Sequence, residues 1–406
     1  MKTTMVIPSY WSREGALGTK ETDAVYDHPT PLNEEGTLKR ALESLTILRD
    51  RDFEVVIIAV PNAEDIEERV EEKVSRIISS VPSSVPVYLF ASSHLKRVHK
   101  AMQAVGSESL VGLLRLRGYS CIRNLCLFLP HLLGSDIAVL IDDDEVFEDP
   151  AFMSKARKFI GRTLDIGFVG AVAGYYLQPD GDWRLKGEKK PWMEPWDKLD
   201  RMNEAFESVI GTGPRLKATP FVFGGNMVVH REVFTRIPFD PGVTRGEDID
   251  YLINMRMFGY KFFLDNTLAI KHLPPPKAHT IWKQLREDIL RFVFERAKLR
   301  DQEPVEDMVR VTAEELDPYP GAFLNDGLEE KIARACMILA DHYRAEGKGH
   351  DAAEALKNID IARNEALPRE NSFHRFIHIK KLWEEMMEFT DRDNVREKLR
   401  GIIASS

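Results

Sequence analysis

Residues 137–141 form an unbroken apolar run, I-A-V-L-I, and the next four residues are Asp142, Asp143, Asp144 and Glu145. Few folds accept that succession. A five-residue run rich in β-branched side chains reads as a buried strand of a parallel sheet. Charge following at once puts carboxylates at the strand's C-terminal end, which in open α/β sheets is where ligands bind. If the backbone stays extended, Asp142 and Asp144 point to one side and Asp143 to the other. Two converging carboxylates suit a hard divalent cation that also holds phosphate oxygens. An acidic loop of solvated charge is the alternative.

The rest of the first two-thirds alternates strand and helix patterns. Thr3 to Pro8 reads as a first strand stopped by the proline, followed by a long loop from Ser9 to Asn33. Asn33 reads as the N-cap of an amphipathic helix that turns Leu38, Leu42 and Leu45 inward. Phe53–Val60 and Val85–Phe90 are further strands, separated by a charged helix from about Asp65 to Ser79. Near-continuous apolar strands with helices between them predict a parallel sheet covered on both faces. Residues 92–117 carry Lys96, Arg97, His99, Lys100, Arg115 and Arg117, which is either a solvated helix face or a phosphate-steering patch. Gly118–Leu133 reads as the helix that leads into the acidic strand.

Gly167–Leu177 reads as a strand with small residues, and Trp192, Met193, Pro195 and Trp196 form an aromatic loop that either lines an acceptor site or anchors itself by packing. Phe221–His230 is a strand broken by Gly224-Gly225. Glu247 and Asp248 open a helix, where acidic residues are favoured electrostatically. Lys261–His272 is a strand ended by Pro274, Pro275 and Pro276. Beyond them the strand patterns cease. Ile281, Leu285, Ile289, Phe292 and Phe294 mark an amphipathic helix. The expected division is 1–276 and 277–406, the second part helical and packed either on the first or on another subunit, in the second case as the surface of a homo-oligomer.

Composition excludes several classes. A 43% hydrophobic, 30% charged chain of 406 residues is globular, and a net charge of -9 without a basic aromatic stripe argues against nucleic acid as a partner. No apolar run reaches the roughly 20 residues of a membrane span, and the N-terminus enters a strand at once. Cys121, Cys126 and Cys336 lack metal-type spacing and read as reduced buried thiols, so the cytoplasm is the expected location.

Four stretches taken together resemble family 2 glycosyltransferases with the GT-A fold: V-I-P-S-Y at the start, G-Y-S-C-I-R-N-L-C-L with Arg123-Asn124, L-I-D-D-D-E, and F-G-G-N-M-V-V-H-R-E-V-F followed by P-F-D, R-G-E-D-I-D, F-G-Y-K and a strand ending in His272. The resemblance spans about residues 3–275. It implies an α/β, GT-A, Rossmann-like mixed sheet followed by the helical region, and transfer of a sugar (as a hexosyltransferase) from a UDP- or GDP-sugar to a saccharide or other hydroxyl acceptor. It further implies a Mg2+ or Mn2+ ion on Asp142, Asp144 and His272, Asp248 as the base of an inverting reaction, and donor contacts from Pro8, Tyr10, Asn62, Arg123, Asp142, Gly225 and Asn226. Where the family usually has an acidic residue after the second strand, this chain has A-V-P-N. A retaining transferase, a sugar nucleotidyltransferase (whose glycine-rich basic signature Gly15, Gly18 and Lys20 only loosely approach) and a non-catalytic nucleotide-sugar binding module are the alternatives.

Overall fold

The computed structural model describes residues 1–14, 23–104, 108–275 and 280–404. Its strands are β1 (Thr3–Ser12), β2 (Thr30–Pro31), β3 (Glu54–Pro61), β4 (Val87–Phe90), β5 (Ile137–Ile141), β6 (Glu145–Val146), β7 (Thr163–Leu164), β8 (Gly167–Phe168), β9 (Ala171–Leu177), β10 (Leu216–Ala218), β11 (Asn226–His230) and β12 (Phe262–His272). Between and after them run α1 (Leu38–Ser44), α2 (Glu67–Ser80), α3 (Ser92–Gln103), α4 (Glu108–Val111), α5 (Tyr119–Leu133), α6 (Phe152–Ala156), α7 (Lys198–Val209), α8 (Arg231–Phe234), α9 (Glu247–Met257), α10 (Ile281–Arg300), α11 (Leu328–Ala345), α12 (Gly349–Asp360), α13 (Ser372–Thr390) and α14 (Asp393–Ala404).

One sheet carries the molecule, in the order β10-β12-β9-β11-β5-β1-β3-β4, with β2 added to β1 and β6 to β12. The strands β5, β1, β3 and β4 are parallel, as their continuous apolar runs require. Beyond β5 the sheet is mixed, because β11 runs antiparallel to both β5 and β9. One face is covered by α1, α2 and α6 around Leu38, Val70 and Phe152. The other face carries α3, α5 and α9, and its apolar cluster continues without a break into α10, α11 and α13 through Phe292, Leu339 and Trp383.

Several expected elements are displaced for local reasons. The first strand does not stop at Pro8. It runs to Ser12, because β5 pairs only with Thr3–Val6, and on that side Pro8 lies past the ladder and needs no N–H. Asn33 is not a helix cap. Gly36 takes φ +71°, which a right-handed helix cannot include, so α1 starts only after Thr37; a Cβ at Gly36 would also stand 2.7 Å from Thr30 Cγ2. Gly167–Leu177 is not one strand, since Gly167–Phe168 folds back on Thr163–Leu164 as a small hairpin before β9 begins. Phe221–Gly225 lies outside β11. The expected 276/277 boundary falls in residues 276–279, and Gly15, Gly18 and Lys20 fall in 15–22, all outside the described residues. Cys121, Cys126 and Cys336 are buried and unpaired. Among the described residues no helix is long and apolar enough to cross a membrane.

Candidate active site

The ends of β1, β5 and β12, the start of α9 and one flank of α10 surround a cavity of about 410 Å³. Asp142, Asp143 and Asp144 form one wall. They do not continue the strand as an extended backbone would. β5 ends at Ile141, and a tight turn follows, in which the Asp142 N–H donates to Glu145 Oε2 (3.1 Å) and the Glu145 N–H donates to the Asp142 carbonyl (3.3 Å). Asp143 consequently turns to β1 and accepts from Ser9 Oγ at 2.5 Å. Asp143 and Glu145 are 9% and 0% exposed. Glu148, just past β6, faces solvent.

Asp144 and His272 are brought together by backbone pairing. Glu145 in β6 lies opposite His272 in β12, and the Leu273 N–H donates to the Asp144 carbonyl at 2.9 Å. His272 Nε2 therefore stands 3.4 Å from Asp144 Oδ2. The Tyr176 ring stacks on His272 at 4.7 Å and 26°, and its hydroxyl accepts from the Gly225 N–H at 2.8 Å. Gly225 must be bare: a Cβ there would lie 2.2 Å from Glu145 Oε1 and 2.7 Å from Asp142 Oδ2.

Arg123, buried on α5, joins this acidic wall to α9. Its Nη2 is 2.9 Å from Asp142 Oδ1 and its Nε donates to Glu247 Oε1 at 3.3 Å. Burial works against the guanidinium charge, but Asp142 and Glu247 hold it on. Neighbouring Asn124 does a different job, clamping the Phe239 backbone through both halves of its amide. Burial pushes Asp142 up, pushes Glu145 well up, and raises Asp143 to about 8 with help from the Asp144 charge. Glu247 is raised to about 7 by burial, with Arg123 opposing.

Asp248 stands in the first turn of α9, after Gly246 at φ +74°. It is half-buried, lines the cavity, and accepts from the Ile249 N–H at 2.9 Å. Around it are groups drawn from distant parts of the chain. Lys198 donates to both oxygens of Asp288 (2.6 and 2.7 Å), Arg245 pairs with Asp27 at 3.0 Å, and Arg291 and Tyr319 complete the wall. Arg291 lies across the bare Gly246 backbone, where a Cβ would meet its Cδ at 2.3 Å.

Of the other residues singled out in the sequence, Tyr10 lines the cavity and packs on Tyr26 and Tyr119, with ring centroids 4.6 and 5.4 Å away. Pro8 is a sheet residue paired with Ile58. Asn226 donates to the Leu268 and Tyr175 carbonyls, tying the start of β11 to β12 and β9. Asn62 lines a different cleft of about 240 Å³, together with Lys96, His99, Arg115 and Arg117 of the basic segment. Trp196 is 3% exposed and packs on Phe292 and Phe323, so in the aromatic loop it acts as an anchor.

The residues present fit a cation that a ligand helps to hold. Asp142 has Arg123 Nη2 2.9 Å from its Oδ1, but the cavity wall as a whole carries more carboxylates than cations. Among the described residues no three His, Cys, Asp or Glu side chains are grouped to hold a metal alone. Diphosphate oxygens would have to complete the coordination shell, as hard cations commonly require.

A family model, Glycosyltransferase like family 2, matches residues 32–293, more than half of the chain. The chain belongs to that family. It is a glycosyltransferase, and the match runs through the acidic turn, Asp248 and His272 and on into α10. No curated protein sequence matches it. Solved structures similar to it include the mannosyltransferase PcManGT from Pyrobaculum calidifontis in complex with GDP-Man and Mn2+, at 17% identity and TM-score 0.47, covering 97% of this chain and 87% of that one. GalNAc-T7 with UDP, GalNAc and Mn2+ is 13% identical at TM-score 0.35, covering 79% of this chain and 55% of that one. Mouse xyloside xylosyltransferase 1 is 12% identical at TM-score 0.28, covering 57% and 68%. At TM-scores below 0.5 none of the three adds to the assignment.

Within this glycosyltransferase the reading of the sequence missed Glu247 as Arg123's partner, the Lys198–Asp288 pair and Arg291. Lys198 and Asp288 are 90 positions apart on two helices, and no local period marks such a pair. Arg291 was recoverable in part: it sits among the apolar positions of α10, where a charge is expected to have a use.

Proposed function

We propose that this chain transfers a sugar from a nucleoside diphosphate sugar to an acceptor hydroxyl with inversion, using a divalent cation, Mg2+ or Mn2+, and Asp248 as general base. One observation carries the reading: Asp144 with His272, and Asp248, line the same cavity from different elements. Asp142, Asp144 and His272 would hold the cation. When bound, such an ion neutralises the charge that develops on a departing diphosphate.

The chain's own groups divide the remaining work. Arg123 keeps Asp142 in place and fixes its distance from α9. Tyr176 stacks against His272 and so restricts its ring. Asp248 is the better base of the acidic pair, because Glu247 is 7% exposed and committed to Arg123 while Asp248 opens on the cavity. Asp248 takes the acceptor's hydroxyl proton as that oxygen bonds to the anomeric carbon and the bond to the diphosphate breaks. A base of this kind contributes about 10²–10⁴-fold in rate. A single base opposite the leaving group gives inversion.

The test is turnover of UDP- and GDP-sugars with and without EDTA, in the native chain and in Asp144→Ala. Loss of turnover in both is expected; undiminished activity in EDTA or in the variant rules the reading out.

A further inference from the structure

A second cleft, of about 530 Å³, adjoins the catalytic cavity, and Arg291 lines both. The cleft lies between the loop 242–244 before α9, the α10 residues Leu290, Arg291 and Phe294, and the start of α13. Its polar groups are set for an anion. Arg291 is 8% exposed, its Nε donates to Glu295 Oε1 at 3.1 Å, and its Nη2 has no hydrogen-bond partner among the described residues. Ser372 is 0% exposed, occupies the first position of α13, and its Oγ likewise has no partner among the described residues. Arg375, one turn on, gives one Nη2 bond to Asp240 at 2.7 Å, and its buried Nε faces Glu370 Oε1 at 3.8 Å. Arg369 stands at the mouth with Glu365 and Glu370. The N-terminal turn of a 19-residue helix adds a positive dipole end.

Leaving buried donors unmade is costly, and two such groups, on Arg291 and Ser372, beside one cleft point to a ligand that accepts from both. A tetrahedral anion does so better than a sugar hydroxyl, and guanidinium groups match phosphate oxygens in geometry and charge. We propose that this cleft is a phosphate-binding subsite, which holds a phosphate group carried by the acceptor while the acceptor's hydroxyl reaches Asp248 past Arg291. The acceptor role rests on the glycosyl-transfer reading above; the phosphate site does not. Leu290, Phe294, Leu367 and Pro368 give the cleft apolar walls, which suit a phosphate attached to an organic body rather than a free ion.

The experiment has two arms on the full-length protein. In the first, inorganic phosphate and phenyl phosphate are titrated calorimetrically in EDTA, where the uncompensated carboxylates of the catalytic wall repel anions. Binding of both is expected, phenyl phosphate more tightly. Arg369→Gln combined with Ser372→Ala should weaken it about tenfold, the scale of lost charge-assisted hydrogen bonds. In the second arm, with Mn2+ and a donor, glucose is compared with glucose 6-phosphate, and glycerol with glycerol 3-phosphate, as acceptors. The phosphorylated member should be preferred, and the double variant should erase the preference. Absence of binding, or equal binding by the double variant, overturns the subsite. Binding of inorganic phosphate alone, or no preference for phosphorylated acceptors despite donor turnover, overturns the acceptor role. Variant-sensitive phosphate binding with no donor turnover at all supports the subsite and counts against the transfer reading instead.

Discussion

Gly225 shows how closely the acidic wall is fitted. A methyl group there would meet Glu145 and Asp142 at 2.2 and 2.7 Å, so Gly225→Ala must push the carboxylates aside. Overpacking of this kind costs about 1–3 kcal/mol of stability. The expected result is a modest fall in urea midpoint with a larger loss, about tenfold or more, of donor affinity in Mn2+; equal donor affinity would show that the carboxylates can move freely. The Gly-Gly pair was legible as a break in a strand, but its reason was not: Gly225 backs the acidic side chains instead of lining the cavity. Asp142, Asp144, Asp248 and His272 could be picked out because each sits beside a strand end or helix start that the apolar pattern marks. Asp143 and Glu145 could not, because their burial follows from a turn that begins one residue after β5, and an alternation rule assumes the strand continues. A buried histidine gives a second test. Burial, with Arg231 and Arg396 nearby, lowers His131 to about 3, and its Nε2 lies 3.1 Å from Thr390 Oγ1. Because the folded value is depressed, the unfolded chain binds the proton first. Stability from this group is complete above about pH 6.5 and is lost as the pH falls towards 3, at up to about 1.4 kcal/mol per pH unit. Urea midpoints between pH 7 and 4 should fall less steeply in His131→Gln than in the native chain.

At the scale of elements, α9 is held from behind by a buried ionic cluster. Lys298 on α10 reaches Asp240 at 2.8 Å and also pairs with Asp250 on α9, and Arg375 on α13 takes the other oxygen of Asp240. Lys298, Asp240 and Asp250 are fully buried. Lys298→Met strands two carboxylates in the interior, and removing one partner of a buried pair typically costs about 3–5 kcal/mol. Denaturation should register a loss of that size, and a loss under about 1 kcal/mol would mean that Arg375 alone satisfies the cluster. Asp240 and Asp250 belong to the P-F-D and R-G-E-D-I-D stretches that carry the family resemblance, and both serve to hold the helix that presents Asp248. The helix itself was readable from its acidic opening. Its anchoring was not, because Lys298 lies 48 residues beyond Asp250 on a helix whose apolar stripe gives no hint of buried charge on the same side.

For the whole molecule, the order of strands and helices was visible as far as β12, and the parallel half of the sheet followed from runs apolar on both faces. The reversal at β11 was not visible, since an apolar run carries no direction. The helices after residue 280 were recognisable as helices, but not as walls of the cavity: Asp288, Arg291 and Tyr319 come from there, and their apolar residues share one core with the sheet. A chain ended at residue 275 should therefore expose that core and fail to give a cooperative thermal transition; a sharply melting fragment that binds donor would show the helices to be a separable domain. The central claim is that one cavity has a donor half at Asp144 and an acceptor half at Asp248. The most direct measurement is donor dissociation constant in Mn2+ beside turnover, for Asp144→Ala and Asp248→Asn. The expected split is loss of metal-dependent donor binding in the first, and near-native donor binding with turnover reduced about 10²–10⁴-fold in the second. Donor binding lost equally in both, or turnover kept in Asp248→Asn, would contradict it.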